Sequence, residues 1–204
     1  YSDYGAKGEK RYYHQKWPCC SGTLVQGVAD YVLNAYFHDD DSLLVNLYTP
    51  SEVTWDRPGG AVELAQETDY PVTDTVKLRI RKAGNGRFAL KLRIPHWTKG
   101  ARLLVNGKAQ AATPGQLATV SRLWKAGDIV ELTIPQPLRT LAIDPENPNL
   151  QAVMRGAVMY VGLNPLDGID QETIPLPGAL TPMPGHPESY RPKVGQLTLV
   201  FVPA

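Results

Sequence analysis

Residues 76–94 read VKLRIRKAGNGRFALKLRI, and this stretch decides the fold. Val76, Leu78 and Ile80 alternate with Lys77, Arg79 and Arg81, and Phe88, Leu90, Leu92 and Ile94 alternate in the same way. A period of two is that of a strand with one face on a core and the other in water. The intervening AGNG is rich in turn formers, so the spacing predicts a hairpin.

The same period continues on the C-terminal side. LLVNGK carries Asn106-Gly107, a strong short hairpin signal, and DIVELTI alternates through Val130, Leu132 and Ile134. AVMYVGL and LTLVFV are apolar without alternation and read as further buried strands. Short strands joined by turns, with no helices between them, predict an antiparallel β-sandwich of jelly-roll-like type. From about 163 to 191 the chain is dense in Pro and Gly, which predicts a long irregular connection.

One early segment keeps a helical period. In GTLVQGVADYVLNAYFH, residues 22–38, Val25, Val28, Ala29, Val32, Ala35 and Tyr36 fall on one face. Thr23 followed by Gln26 fits a capping box, and HDDDS is a cluster of turn formers at the other end. One helix cannot bury its apolar face alone. The expected organisation is therefore 1–40 as the C-terminal end of a helical domain and 41–140 as a β-sandwich. Residues 141–204 follow as further strands, forming a second sandwich or completing the first. The chain opens without Met or a signal peptide, and we expect it to be a C-terminal fragment.

Bulk properties exclude several classes. A chain of 204 residues with 43% hydrophobic and 20% charged residues is ordinary globular composition. A net charge of +1 argues against a general nucleic-acid binder or an anionic-membrane binder. No apolar run approaches the roughly 20 residues that span a bilayer.

Both cysteines, Cys19 and Cys20, stand side by side in KWPCCSGT. Four readings compete. They are small buried residues, a strained disulfide that staples almost nothing, half of a tetrahedral zinc site, or a nucleophile. His14 lies five residues before Cys19 as a further potential ligand, whereas His38, His96 and His186 are scattered among turns. Placement just before a helix start favours the thiolate, because backbone N–H groups and the dipole stabilise an anion there. Spacing alone leaves these readings open.

The residues around the pair resemble the C-terminal half of the bacterial glycoside hydrolases of family 127 and its relative family 146. The resemblance is carried by WPCCSGT, LLVNLYTPSEVTW, FALKLRIPHW, LLVNGK, LWKAGDIVELTIP and VMRGAVMYV, in that order. It implies an (α/α)6 catalytic barrel followed by β-sandwich domains, with the helix of this chain as the last of the barrel. It implies a retaining β-L-arabinofuranosidase acting on plant-type glycans that contain L-arabinofuranose. By the same resemblance Cys19 is the zinc-bound nucleophile and Cys20 a further zinc ligand. The remaining zinc ligands, a glutamate and a third cysteine, belong to the upstream helical-barrel domain, as does the acid/base glutamate. The isolated chain is then expected to be inactive. The competing function is a non-catalytic accessory or carbohydrate-binding sandwich. The resemblance leaves a homodimer open and permits exported, periplasmic and cytoplasmic members.

Other features have plainer readings beside functional ones. Tyr12, Tyr13 and His14 suit a sugar subsite or a barrel rim, and Trp17 suits the same subsite or packing around Pro18. The basic run Lys77, Arg79, Arg81, Lys82, Arg87, Lys91 and Arg93 reads as a solvated strand face before an acidic-polysaccharide surface. Asp39, Asp40 and Asp41 read as a turn before a calcium loop. Trp55, Trp97 and Trp124 read as core corners before sugar platforms.

Overall fold

The two alternating runs are strands, but they do not form a hairpin. The computed structural model describes residues 2–4, 10–12, 19–163, 180–192 and 200–203. In chain order its elements are β1 (Ser2–Tyr4), β2 (Lys10–Tyr12), α1 (Cys19–Leu33), β3 (Tyr36–His38), β4 (Ser42–Val45), β5 (Ser51–Trp55) and β6 (Val62–Thr68). Then come β7 (Thr75–Lys82), β8 (Arg87–Arg93), β9 (Arg102–Val105), β10 (Lys108–Gln110), β11 (Leu117–Leu123) and β12 (Ile129–Thr133). Last are β13 (Leu138–Ala142), β14 (Gln151–Arg155), β15 (Val158–Leu163), β16 (Leu180–Met183), β17 (His186–Pro192) and β18 (Val200–Pro203).

β7 lies in a six-stranded sheet of order β10-β9-β12-β7-β6-β5, and β8 in a four-stranded sheet of order β11-β8-β4-β3. The AGNG segment therefore crosses between layers. Both runs have the same alternation, so their apolar faces meet across the sandwich rather than lying edge to edge. Leu64, Val76, Leu78, Ile80 and Leu132 from the first sheet share one buried cluster with Leu43, Val45, Phe88, Leu90 and Leu92 from the second. Each such side chain contributes roughly 1.5–3 kcal/mol on burial. Among the described residues, pairing is antiparallel except between β4 and β8, which run parallel.

The crossing is built by small residues and one arginine. Ala83 is buried, and Gly84 takes a positive φ of 59°. Arg57 donates from Nη1 to the Asn85 carbonyl and from Nη2 to the Arg87 carbonyl, each at 3.2 Å. Its guanidinium also lies over the rings of Trp55 and Phe88. A Cβ on Gly84 would meet the Gly60 carbonyl oxygen at 2.5 Å, on top of the unfavourable φ. Gly84→Ala is expected to destabilise the fold by about 1–3 kcal/mol, read as a lower urea midpoint at unchanged slope.

The Asn106-Gly107 turn behaves as predicted. Val105 pairs with Lys108, and the two loop residues have φ of 48° and 77°, the mirror-image turn that suits strand twist. Trp55 and Trp124 are buried and Trp97 packs against the same core, so the three tryptophans are core corners. Asp39 organises the β3–β4 turn, accepting from the Asp41 N–H at 3.0 Å and the Ser42 hydroxyl at 2.7 Å.

A second six-stranded sheet, of order β13-β14-β15-β18-β17-β16, follows in the chain. It has its own cluster of Val153, Tyr160, Leu180 and Tyr190. β15 is a strand as expected but not a fully buried one, since Met159 and Val161 face outward beside buried Tyr160. Residues 180–192, expected to be irregular, form a hairpin of β16 and β17 closed by Pro184-Gly185. Prolines are tolerated there because β16 is an edge strand and the pairing carries a register shift after Pro182.

The helix differs from expectation at both ends. It starts at Cys19, so Thr23 lies within it and is not its cap. It ends at Leu33, and Tyr36–His38 is the strand β3. The Asn34 carbonyl accepts from Asn46 Nδ2 at 2.8 Å, and the Ala35 carbonyl accepts the N–H groups of Asn46 and Leu47. These contacts pull the chain out of the helix and into pairing with β4. Val25, Val28 and Val32 form the expected apolar stripe, yet among the described residues they remain 70%, 61% and 69% exposed. Only Ala35 of the expected apolar set is buried, and it lies beyond the helix.

Candidate functional site

The cysteine pair opens α1. Cys19 and Cys20 are its first two residues, and the first turn carries no acidic side chain. The free N–H groups of a first helical turn and the aligned peptide dipoles favour an anion at this end. A thiol there ionises more readily than in water, provided no carboxylate competes for the same groups. The helix thus supplies the placement that nucleophilic and metal-ligand chemistry both require. The cysteines lie inside the first turn rather than just before it.

Of the other expected site residues, Tyr12 ends β2, its backbone opposite Ser2. Its side chain, and those of Cys19 and Cys20, lie outside what is described, as do Tyr13, His14 and Trp17 entirely. Two thiols on one helical turn fit zinc as two of its four tetrahedral ligands. Among the described residues no group of three or more His, Cys, Asp or Glu side chains is gathered to hold a metal.

Titration points the same way for acid/base chemistry. A carboxyl that protonates a leaving group needs its proton near neutrality, hence a raised pKa. Among the described residues, the carboxyls displaced from their ordinary values are all held low. Hydrogen bonds from the Ser42 hydroxyl and the Asp41 N–H bring Asp39 to about 2. The hydrogen bond from Arg79 holds Glu67 down. Burial pushes Asp128 upward, but the Asn106 amide, the Lys125 N–H and the Arg122 charge together leave it below the ordinary value.

The basic strand face is largely neutralised. Arg79 pairs with Glu67 at 3.1 Å, Arg81 with Glu52 at 2.7 Å, Lys82 with Glu63 at 3.6 Å and Lys91 with Asp39 at 3.4 Å. These are cross-strand and neighbouring-loop pairs of a solvated face, so the acidic-polysaccharide reading loses its charge.

One feature does not follow from the sequence alone. The outer face of the six-stranded sheet of the sandwich holds a groove of about 550 Å³, walled by the loop between β6 and β7. Its floor carries Lys77 between Glu67 and Glu131 in one cross-strand row, with Thr75 opposite Thr133 in the next. The signal was the outward half of the alternation, which a strand on any soluble sheet also shows.

Comparisons with known proteins bear on the sandwich. Residues 42–136 match the family described as the β-L-arabinofuranosidase GH127 middle domain. That span begins at β4 and ends just past β12, covering most of the sandwich. No curated protein matches the chain. Among solved structures, a glycoside hydrolase is similar at 30% identity and a TM-score of 0.64, over 72% of this chain and 27% of that one. A GH127 β-L-arabinofuranosidase from Geobacillus stearothermophilus T6 is similar at 32% identity and a TM-score of 0.63, over 72% of this chain and 24% of that one. A GH127 β-arabinofuranosidase is similar at 26% identity and a TM-score of 0.64, over 78% of this chain and 28% of that one. The chain thus spans about a quarter of the length of the solved relatives it matches. The sandwich span 42–136 thus matches a GH127 middle domain, and the chain is similar in fold to about a quarter of each glycoside hydrolase it matches.

Proposed function

We propose that this chain supplies the nucleophile and the supporting sandwich of a retaining glycoside hydrolase that releases L-arabinofuranose. The observation that carries the reading is the placement of Cys19 and Cys20 in the first turn of α1, the helix that precedes the sandwich strands in the chain. On this reading 1–40 ends a helical catalytic domain, 41–140 is the sandwich and 141–204 the further strands. The exposed stripe of Val25, Val28 and Val32 is the surface that an upstream helical barrel would cover.

Cys19 is the nucleophile in this proposal. Its thiolate attacks the anomeric carbon, a C–S bond forms, and the glycosidic C–O bond breaks as a carboxylic acid outside this chain protonates the leaving oxygen. Water, deprotonated by the same carboxylate, then cleaves the C–S bond, and two inversions give overall retention. Cys19 and Cys20 would hold zinc, whose charge, when bound, keeps the sulfur ionised. The helix start contributes in the same direction through its N–H groups, and no first-turn carboxylate opposes it.

Two tests follow. The 204-residue chain by itself is expected to give no turnover of an aryl β-L-arabinofuranoside, because it contributes neither the acid nor a complete metal cage. Measurable hydrolysis by that chain would overturn the division of labour. In the longer protein, metal analysis is expected to give about one zinc per chain, lost in Cys20→Ala with the circular dichroism spectrum unchanged. Full zinc retention by that variant would remove Cys20 from the ligand set.

A further inference from the structure

The groove on the outer face of the six-stranded sheet of the sandwich belongs to neither the core nor the cysteine pair. Its floor is a cross-strand row in which Glu67 of β6, Lys77 of β7, Glu131 of β12 and Leu104 of β9 lie directly beside one another. Neighbours of opposite charge at this spacing ordinarily close into ion pairs. Glu67 does so with Arg79, but no ion pair joins Lys77 or Glu131 to another described residue. An ammonium and a carboxylate therefore stand available on the floor, with the hydroxyls of Thr75 and Thr133 in the adjoining row.

The wall is prebuilt. The Thr68 hydroxyl donates to the Thr75 carbonyl at 2.7 Å and accepts the Tyr70 N–H at 2.9 Å. The N–H groups of Val72 and Thr73 both reach the Asp69 carbonyl, at 2.8 and 3.2 Å. From the far side, buried Gln136 donates its amide to the carbonyls of Pro71 and Thr73 and to Asp74 Oδ1, at 2.9, 3.1 and 2.9 Å. Gly156 lets that side chain lie close, since a Cβ there would meet Gln136 Oε1 at 2.6 Å. A loop tied by so many bonds loses little conformational entropy on binding a ligand.

We propose that this groove binds a short neutral oligosaccharide. Its volume of about 550 Å³ falls within the ~300–1,000 Å³ of small-molecule sites. With Glu67 paired to Arg79, the lining sets the carboxylates of Asp69 and Glu131 against one ammonium, Lys77, and this net negative charge disfavours uronates, phosphates and sulfates. Carboxylates that accept, an ammonium that donates and threonines that do both match an array of sugar hydroxyls. Leu104, half-buried on the same row, offers the apolar patch that the C–H face of a ring requires. The site lies on the sandwich and acts independently of Cys19, as a place to hold glycan.

The test is a titration of the full 204-residue chain, followed by backbone amide NMR, with neutral L-arabino-, xylo- and galacto-trisaccharides, trigalacturonate and calcium. At least one neutral trisaccharide is expected to shift the amides of Glu67, Thr75, Lys77, Glu131 and Thr133. Lys77→Ala/Glu131→Ala, both on the solvent side of their strands, is expected to weaken that binding about tenfold or more at unchanged melting temperature. Cys19→Ala is expected to leave it unchanged, so failure of the catalytic reading does not disturb this readout. Immobile amides with all three neutral sugars, a stronger response to trigalacturonate or calcium, or a double variant that binds as the parent does would each overturn the proposal.

Discussion

Replacing Cys19 by alanine in the longer protein is expected to lower kcat on an aryl β-L-arabinofuranoside by about a thousandfold or more. That corresponds to about 4 kcal/mol of lost transition-state stabilisation. The size follows from the two roles that the proposal gives to one sulfur, forming the covalent bond to sugar and holding metal. Alanine is the best helix former and the position opens α1, so the fold should survive. Cys19→Ser keeps the size and a hydroxyl but no ready anion at neutral pH, and it should be nearly as inactive. A Cys19→Ala protein that turns over at the parent rate would leave the pair a structural role only.

Phe88→Ala is expected to remove about 3–5 kcal/mol of stability, a large core effect in the sandwich. Phe88 is 1% exposed and lies on β8, where it faces the opposite sheet. Its ring meets Trp55 edge-on at a centroid distance of 5.7 Å and Trp124 at 5.9 Å. Arg57, the clamp of the layer crossing, stands 5.5 Å above the same ring. The Phe88 carbonyl accepts Trp124 Nε1–H at 3.1 Å. Truncation leaves a cavity that two large indoles cannot readily collapse into, and it loosens the crossing as well. A domain stable by the usual ~5–15 kcal/mol would be brought close to unfolding. Urea denaturation checks this through the midpoint, and a shift below about 1 kcal/mol would contradict the packing described.

The strands and the sandwich were legible in the sequence because side-chain alternation is local information. Val76, Leu78, Ile80 and Phe88, Leu90, Leu92 declare their inner faces without any knowledge of their neighbours. Alternation does not say whether two inner faces lie side by side or meet across a core. That choice was made at a distance, by Arg57 reaching Asn85 and Arg87, and by Gly60 packing against Gly84. The helix start was misplaced because Thr23 and Gln26 have the spacing of a capping box wherever they fall. The hairpin of 180–192 was hidden by prolines that an edge strand accommodates. The groove was the least legible feature, since its wall is held by Gln136 from more than sixty residues away. Cys19 and Cys20 stood out from the first, but their spacing alone supported several chemistries, and resemblance in the flanking residues chose among them.

The most direct test of Cys19 as nucleophile is to trap its sugar. The longer protein carrying this chain is incubated with an aryl β-L-arabinofuranoside bearing a good leaving group, quenched in acid, digested and sequenced by mass spectrometry. The expected result is one added pentosyl unit on the peptide holding WPCCSGT, with fragment ions placing it on Cys19 and not on Cys20. A pentosyl unit found on a carboxylate, or on Cys20, would contradict the account.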